Sequence, residues 1–135
     1  QVVGMEQVWL GLLAQGQGVH SSAPPRLAAR ILKVQRHIET HLAEPLGNER
    51  LAAIACLGQS QFKYAFRQQF GMSASHYIRG RRMALARTLL AHSALPIGEV
   101  ASRCGYQDQG AFAERFLTET GLTPSRWRQQ NGRQP

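Results

Sequence analysis

Hydrogen-bond donors are concentrated on one face of a helical segment near the middle of this 135-residue chain. In that segment Phe62 and Phe66 lie four residues apart, so they share one face of a helix, and we predict that this face packs into a core. At about 100° per residue, the opposite face carries Ser60, Lys63, Tyr64, Arg67 and Gln68. Donors on a convex helix can read base edges or hold phosphates. A solvated polar face is the alternative.

Other arrangements of reactive side chains are few. The sequence contains no G-x-S-x-G, no phosphate-binding loop and no pair of carboxylates at catalytic spacing, so we predict no enzyme, no catalytic residue and no cofactor. His37 and His41 lie four residues apart, but no Cys or carboxylate ligands complete a metal site around them. We therefore predict no metal and place both histidines on a charge-compatible surface.

The two cysteines, Cys56 and Cys104, do not form a C-x-x-C pair. This argues against a disulfide scaffold or a zinc module and is typical of a reducing cytoplasm. Both cysteines lie beside predicted turns, where a redox-sensing role is the alternative to a small, buried packing residue. We predict the packing role for both.

Positive charge is concentrated in the later two-thirds of the chain. The formal net charge is +8, from sixteen Lys and Arg against eight Asp and Glu, and every cation except Lys33 and Lys63 is an arginine. Residues 1–45 contribute four cations and three acids, a net +1, whereas residues 46–135 contribute twelve and five, a net +7. Such a region favours a nucleic acid or an anionic membrane surface as partner, with a merely soluble basic protein as the alternative. No apolar run approaches the roughly 20 residues of a membrane span.

The chain matches itself when it is shifted by fifty residues. The matching pairs are Phe62 with Phe112, Phe66 with Phe116, Gly71 with Gly121, Met72 with Leu122, Ser73 with Thr123, Ser75 with Ser125, and Tyr77 with Trp127. Upstream, Leu51-Ala52 matches Val100-Ala101 at a shift of forty-nine, so we predict one extra residue in the second turn. Small Ala52 and Ala101 suit the close helix crossing of a helix-turn-helix. The repeat therefore predicts two copies of one supersecondary unit.

Apolar residues at three- and four-residue intervals predict an all-α fold, without strands. We predict an N-terminal amphipathic helix over about 2–13, a linker to residue 22, and a helix from Pro25 that ends at Pro45. Its buried stripe is Leu27, Ile31, Val34, Ile38 and Leu42.

The predicted helices beyond residue 45 follow from caps and glycine stops. Two helices are predicted over about 48–55 and about 59–70, and a long helix, capped by Ser73 or Ser75, follows to about 91. A short helix then has Pro96 in its first turn. The last two are a helix capped by Asp108 that runs to Gly121 and a short helix that begins at Thr123-Pro124. The apolar positions predicted for the long helix are Tyr77, Ile78, Leu85, Leu89 and Leu90.

These residues resemble the AraC/XylS family of bacterial transcription regulators over roughly residues 30–130. The more specific segment is I-G-E-V-A-S-R-C-G-Y-Q-D-Q-G-A-F-A-E-R-F-L-T-E-T-G-L-T-P, residues 97–124, and its counterpart is L-A-A-I-A-C-L-G-Q-S-Q-F-K-Y-A-F-R-Q-Q-F-G, residues 51–71. The resemblance implies two helix-turn-helix subdomains, joined by a rigid helix over about 75–91. Both recognition helices, about 59–70 and 108–120, would enter successive major grooves of promoter DNA about 34 Å apart.

The resemblance also implies contacts residue by residue. The expected base-contacting residues are Ser60, Lys63 and Tyr64 in the first unit, and Gln109, Gly110, Ala113 and Glu114 in the second. The expected DNA-backbone contacts are Gln59, Arg67, Gln68, Arg81, Arg82 and Gln107. Arginines on the linker helix have an alternative, which is pairing with Glu99 and Glu119.

The second unit departs from the family pattern. Glu114 stands where the family often has Arg, Gly110 and Ala113 offer no side-chain donor, and Leu117 replaces the Arg found at the equivalent Arg67. We therefore expect the first unit to carry more of the base readout. Two further departures are Gly58, where the family usually has Ser or Thr, and Gly80 inside the linker helix, which either lets the subdomains flex or packs closely against a neighbour.

The expected organisation is a helix and linker over residues 1–22, a first subdomain over 23–74, the linker helix over 75–92 and a second subdomain over 93–135. The first segment looks like the tail of an upstream effector-binding or dimerising domain, and the alternative is a short stand-alone family member with an ordinary extra helix. The expected partners are double-stranded promoter DNA, RNA polymerase and, through that upstream domain, a second copy of the chain, with a cytoplasmic location and no membrane. The alternatives are a helical adaptor for an acidic protein and a sequence-neutral DNA-binding protein.

Overall fold

The computed structural model describes residues 25–132, and within them the fold is all-helical, as predicted. The seven helices are α1 (Pro25–Thr40), α2 (Asn48–Ile54), α3 (Gln59–Phe70), α4 (Ala74–His92), α5 (Ile97–Arg103), α6 (Gln109–Thr120) and α7 (Pro124–Asn131). The helix predicted over 2–13 and the linker after it lie outside the described residues. Between residues 25 and 132, no helix has the length and apolar character needed to cross a bilayer.

Two hydrophobic cores divide the fold into a first unit, α1–α3, and a second unit, α5–α7, with α4 contributing to both. The first core contains the predicted α1 stripe together with Leu51, Phe62 and Phe66. The second contains Val100, Phe112 and Phe116. All four phenylalanines of the repeat are fully buried, so the core role predicted for the aromatic pairs is confirmed.

The end predicted for α1 is wrong, because the helix stops at Thr40 and not at Pro45. The Thr40 hydroxyl donates to the carbonyls of Arg36 and His37, at 3.3 and 3.2 Å, and His41 N–H donates to the Ile38 carbonyl in a tighter turn. Hydroxyl donation back to the preceding turn weakens a helix at its end. Leu42 is nevertheless buried as predicted.

The long helix α4 begins after Ser73, whose side chain accepts from His76 N–H at 3.1 Å, so Ser73 and not Ser75 is the cap. Met83 and Ala86, absent from the predicted apolar positions, are buried in the second core. The predicted place of Pro96 is also wrong, since it precedes α5 as the N-cap residue instead of lying in the first turn.

Hydrogen bonds hold α4 to both units. Toward its start, the Tyr77 hydroxyl and the Arg81 guanidinium both donate to the Glu39 carboxylate of α1. Toward its end, Arg128 of α7 donates to the carbonyl of Leu90 at 3.1 Å. Gly80 lies between Tyr77 and Arg81, and a Cβ atom there would meet nothing within 4 Å. The close-packing explanation for Gly80 is therefore wrong.

Candidate nucleic-acid interface

The first helix-turn-helix pairs α2 with α3 through small, buried residues at the crossing. Ala52 is 2% exposed and Phe62 is fully buried, so the inner face of α3 is fixed against α2. Cys56 lies in the turn with φ 58°, a left-handed conformation that non-glycine residues seldom adopt. Its side chain is exposed, so the buried role predicted for Cys56 is wrong.

The second helix-turn-helix repeats this geometry in α5 and α6. Leu57 N–H donates to the Ala52 carbonyl at 2.9 Å, and Tyr106 N–H donates to the Ala101 carbonyl at the same distance. Both turns thus close in the same way, forty-nine residues apart, whereas the N-cap residues Gly58 and Asp108 are fifty apart. The extra residue predicted for the second turn is therefore present, and it is Gln107.

The buried position before each turn is also equivalent in the two units. Ala55 occupies it in the first and Cys104 in the second, and both are at most 1% exposed. Burial raises the pKa of the Cys104 thiol to about 12, so almost no reactive thiolate forms at neutral pH. The packing role predicted for Cys104 is confirmed.

Both recognition helices end at a glycine in the left-handed conformation. Gly71 has φ 78° and its N–H donates to the Arg67 carbonyl at 2.8 Å, while Gly121 has φ 82° and its N–H donates to the Leu117 carbonyl at 2.8 Å. Glycine tolerates this conformation without the Cβ penalty that other residues meet. The predicted stops at Gly71 and Gly121 are confirmed.

The residues expected to contact bases lie on the outer faces of α3 and α6. Ser60, Lys63, Tyr64, Gln109, Gly110 and Glu114 are exposed, and Ala113 is half-buried. Tyr64 is 66% exposed although its ring is large and partly apolar. Gln59, Arg67, Gln68 and Gln107, expected at the DNA backbone, are exposed as well.

The two outer faces differ in charge and in their N-caps. Within α3, Lys63 and Arg67 are the charged residues, for a net +2, whereas α6 contains Glu114, Arg115 and Glu119, for a net −1. Arg115 pairs with Glu119 at 3.5 Å along the helix. At the start of α6 the Asp108 carboxylate accepts from Gly110 N–H at 2.9 Å, as predicted, while Gly58 gives α3 no side-chain cap.

Two arginines expected at the DNA backbone are engaged within the protein. Arg81 is 47% exposed in its ion pair with Glu39, which leaves its outer edge open to solvent. Arg82 is half-buried, and its Nε and Nη2 donate to the carbonyls of Leu42 and Glu44 at 3.1 and 2.7 Å. Burial lowers the pKa of the Arg82 guanidinium.

The alternative of pairing between the α4 arginines and Glu99 or Glu119 is wrong. Glu99 binds Arg103, one turn along α5, at 3.1 Å, and Glu119 binds Arg115 within α6. Side chains four residues apart on a helix are already neighbours, so each carboxylate pairs within its own helix.

The histidine pair, predicted to lie on a charge-compatible surface, forms a stacked and half-buried contact there. The rings of His37 and His41 are nearly parallel with centroids 3.9 Å apart, and His41 Nδ1 lies 2.9 Å from the His37 carbonyl oxygen. Burial, and then the neighbouring His41, lower the pKa of His37.

Sequence reasoning missed the contacts of two glycines behind the second recognition helix and the exposure of one leucine on the helix itself. A Cβ atom at Gly98 would lie 2.9 Å from Gln109 Oε1, so this glycine makes room for the folded-back Gln109 side chain. Gly105, with φ 88°, lets the turn approach Arg82 and the Leu42 carbonyl. Leu117, noted only as a missing arginine, is a 46% exposed leucine on α6. Gly105 could have been noticed only as a turn residue, because Leu42 and Arg82 lie far from it in the sequence. Gly98 could have been noticed only as a glycine within a short helix.

Two helix-turn-helix units, each presenting an exposed recognition helix and joined by one long helix, define a DNA-binding domain. A family model described as a helix-turn-helix domain matches residues 51–130. The transcriptional activator RhaR of Escherichia coli strain K12 is 33% identical over 121 residues, which are 89% of this chain and 43% of that protein. The chain belongs to the AraC/XylS family of transcription regulators and contains the DNA-binding domain of that family.

Solved structures of the same kind align over most of the described fold. The C-terminal domain of AraT, a response regulator from Geobacillus stearothermophilus, has a TM-score of 0.76 at 27% identity, over 81% of this chain and 91% of that one. The DNA-binding domain of AdpA, solved with a target DNA, has a TM-score of 0.71 at 29% identity, over 75% and 91%. The chain spans less than half the length of the curated relative RhaR.

Proposed function

We propose that this domain regulates transcription by inserting α3 and α6 into successive major grooves on one face of promoter DNA. The observation that carries the proposal is the repeat of one helix-turn-helix geometry, with the expected base-contacting side chains exposed on both recognition helices. Successive major grooves on one face are about 34 Å apart. The nineteen residues of α4 span roughly 28 Å, and the width of each unit adds to that distance.

The contact residues that we propose follow the two outer faces. Base edges would be read by Ser60, Lys63, Tyr64, Gln109, Gly110, Ala113 and Glu114. Phosphates would be held by Gln59, Arg67, Gln68, Arg81 and Gln107. Phosphate contacts fix the register of a protein on DNA, while base contacts supply its sequence preference.

We infer that the first unit supplies most of the base readout. Its face combines two cations with donors from Ser60 and Tyr64, whereas the outer face of α6 offers Gln109 and the acceptor Glu114. Gln suits adenine, and a carboxylate can accept from the amino group of cytosine. If mutational scanning of the operator found the half-site under α6 to be the more sensitive one, this division would be wrong.

Bound at a promoter, the domain would act on RNA polymerase, and an upstream domain joined before residue 23 would bind an effector or a second copy. The proposed boundaries are a first subdomain over 23–74, the linker helix over 75–92 and a second subdomain over 93–135. The name of RhaR as a transcriptional activator supports the proposed action at a promoter.

Selection of duplexes from a random pool tests the proposal directly. The immobilised domain, at about 150 mM salt where nonspecific phosphate binding is weak, should recover a site with two motifs about one helical turn apart. The matched control is a Lys63→Ala, Tyr64→Ala, Arg67→Ala variant, which leaves the buried Phe62 and Phe66 in place. That variant should retain its helix content by circular dichroism, and it should no longer recover the site with two motifs.

Each of the other outcomes contradicts the proposal. Recovery of no motif with tight, salt-sensitive binding would indicate a sequence-neutral DNA-binding protein. No DNA binding, together with binding to an acidic protein, would indicate an adaptor. A single motif would indicate that only one recognition helix reads bases.

A further inference from the structure

The two units of the domain approach each other closely beside α4, where the second turn reaches the chain that follows α1. The chain between α1 and α2 contributes the carbonyls of Leu42 and Glu44, and α4 contributes Arg82, which donates to both of them. From the second unit, Gly105 closes against this pair in its left-handed turn. A Cβ atom on Gly105 would lie 2.8 Å from Nε and Cζ of Arg82, and closer still to the Leu42 oxygen. We call Arg82, these two carbonyls and Gly105 the latch.

Open space lies on either side of the latch. One cleft, of about 490 Å³, is bounded by Glu39 and Thr40 of the first unit, by α4, and by Arg103 of the second unit. The other cleft, of about 600 Å³, lies between Pro45 and the side chains of Tyr106 and Gln109. The latch therefore lies between two clefts and is a direct contact between the units in the described part of the chain.

Without the latch, α4 would be left as the chief connection between the units. Leu85 of α4 packs against both cores, but it lies on the connecting helix itself. Long helices are rarely straight and curve gently, so a helix alone restrains the relative orientation of two units less than a helix with a second contact beside it. A second contact, away from the helix axis, restrains both bending and rotation.

The chemistry of the latch requires arginine in particular. The planar guanidinium has five donors in a fixed fork. Here two of its nitrogens reach two carbonyls, and Gly105 lies so close that a Cβ atom there would be 2.8 Å from Nε and Cζ. A lysine ammonium is a compact point charge on a flexible stem. It can bind one of these carbonyls, but it offers no flat surface for the glycine.

We propose that Arg82 is a positioning residue that fixes the orientation of α6 relative to α3, and thereby the half-site spacing that the domain accepts. This inference rests on the proposed function. Gly105 lies four residues before Gln109, so the latch supports the end of α6 that enters the groove. One base pair of extra spacing moves a half-site by about 3.4 Å and turns it by about 35°. A domain with a fixed orientation of α6 relative to α3 cannot bind both displaced half-sites, whereas a domain without the latch can adjust that orientation.

A first measurement needs no DNA. Nitroxide labels on Gln61→Cys and Ala111→Cys, both exposed on α3 and α6, are placed in a Cys56→Gly background, while the native Cys104 is fully buried. Electron–electron double resonance should give a narrow distance distribution for the parent protein. Arg82→Ala and Arg82→Lys should both broaden it. Unchanged distributions in both variants would overturn the latch.

The second measurement uses the site recovered by selection, with one base pair inserted or deleted between its motifs. The parent domain should lose about tenfold or more in affinity, because a displaced unit forfeits its base contacts. For Arg82→Ala, the affinity for the altered spacings should fall at most about threefold below the affinity of the same variant for its preferred spacing. The salt slope, which is the dependence of log affinity on log salt concentration, should be unchanged. Arg82→Lys should behave like Arg82→Ala, although it keeps the charge.

Arg81→Ala is the matched control, since Arg81 is the adjacent residue and contacts α1 without touching Gly105. It should lower the salt slope by about 0.9, the value for one phosphate, and keep the parent's spacing preference. If Arg82→Ala lowered the slope and Arg82→Lys restored it, Arg82 would be a phosphate contact and the latch would be wrong. If selection recovered no paired motif while the Arg82 variants still broadened the distance distribution, the latch would stand and the proposed function would fail.

Discussion

The two recognition helices are built alike on the inside and differently on the outside. Each has two fully buried phenylalanines and a left-handed glycine at its end, yet α3 carries a net +2 and α6 a net −1. Buried positions must fit one packing geometry in both copies, because overpacking and cavities each cost stability. Exposed positions are free of that restraint. A duplicated scaffold can therefore keep its shape while its two copies take different parts of the recognition.

The turns differ as well, and a matched pair of substitutions there should give the largest effect. Gly105→Ala should cost about 3 kcal/mol, because φ 88° is strained for alanine and the new Cβ would collide with the Leu42 carbonyl and Arg82. Cys56→Gly, at the equivalent exposed position, should stay within about 1 kcal/mol of the parent, since relief of its φ 58° offsets the greater freedom of unfolded glycine. Urea unfolding followed by circular dichroism measures both. Equal losses in the two variants would mean that the latch adds nothing to the second turn.

These residues also show where sequence reasoning succeeds and where it stops. The bounds of α3 followed from local signals, the phenylalanine spacing and the stop at Gly71, and the Asp108 cap followed from its position before α6. The bond from Arg82 to the Leu42 carbonyl joins residues forty apart in the chain. No local pattern encodes that contact, so Arg82 was assigned to phosphate from its charge and family position alone. The early end of α1 at Thr40 likewise depends on the hydrogen bonds that the Thr40 hydroxyl donates to carbonyls of the preceding turn.

Arg67 and Leu117 occupy equivalent outer positions and should differ strongly in binding. Arg67→Ala should weaken binding to the selected site about tenfold or more, with the salt slope lowered by about 1, because a phosphate contact is lost. Leu117→Ala should change affinity by less than about threefold, since an exposed, uncharged leucine neutralises no phosphate and releases no counterions from the DNA. The converse substitution, Leu117→Arg, should steepen the salt slope by about 1 and tighten binding to all sequences alike. Fluorescence anisotropy titrations at several salt concentrations provide the test, and a larger loss from Leu117→Ala than from Arg67→Ala would mean that the phosphate contact proposed for Arg67 is wrong.

The smallest expected effect concerns the apolar part of α6. Ala113 is half-buried on the outer side, next to Gly110 and Glu114, and alanine can contact the 5-methyl group of thymine. Replacing thymine by deoxyuridine removes that methyl and leaves the hydrogen bonds of the base pair intact. At a thymine under α6 this should weaken binding about fourfold, the value of one buried methyl group, and the effect should disappear in Ala113→Ser, because the two changes remove the same contact. Thymines under α3, where Lys63 holds the equivalent position, are the control and should respond equally in the parent and in Ala113→Ser. Sensitivity to deoxyuridine that survives in Ala113→Ser would mean that the second unit senses the methyl group through another residue or through the shape of the DNA.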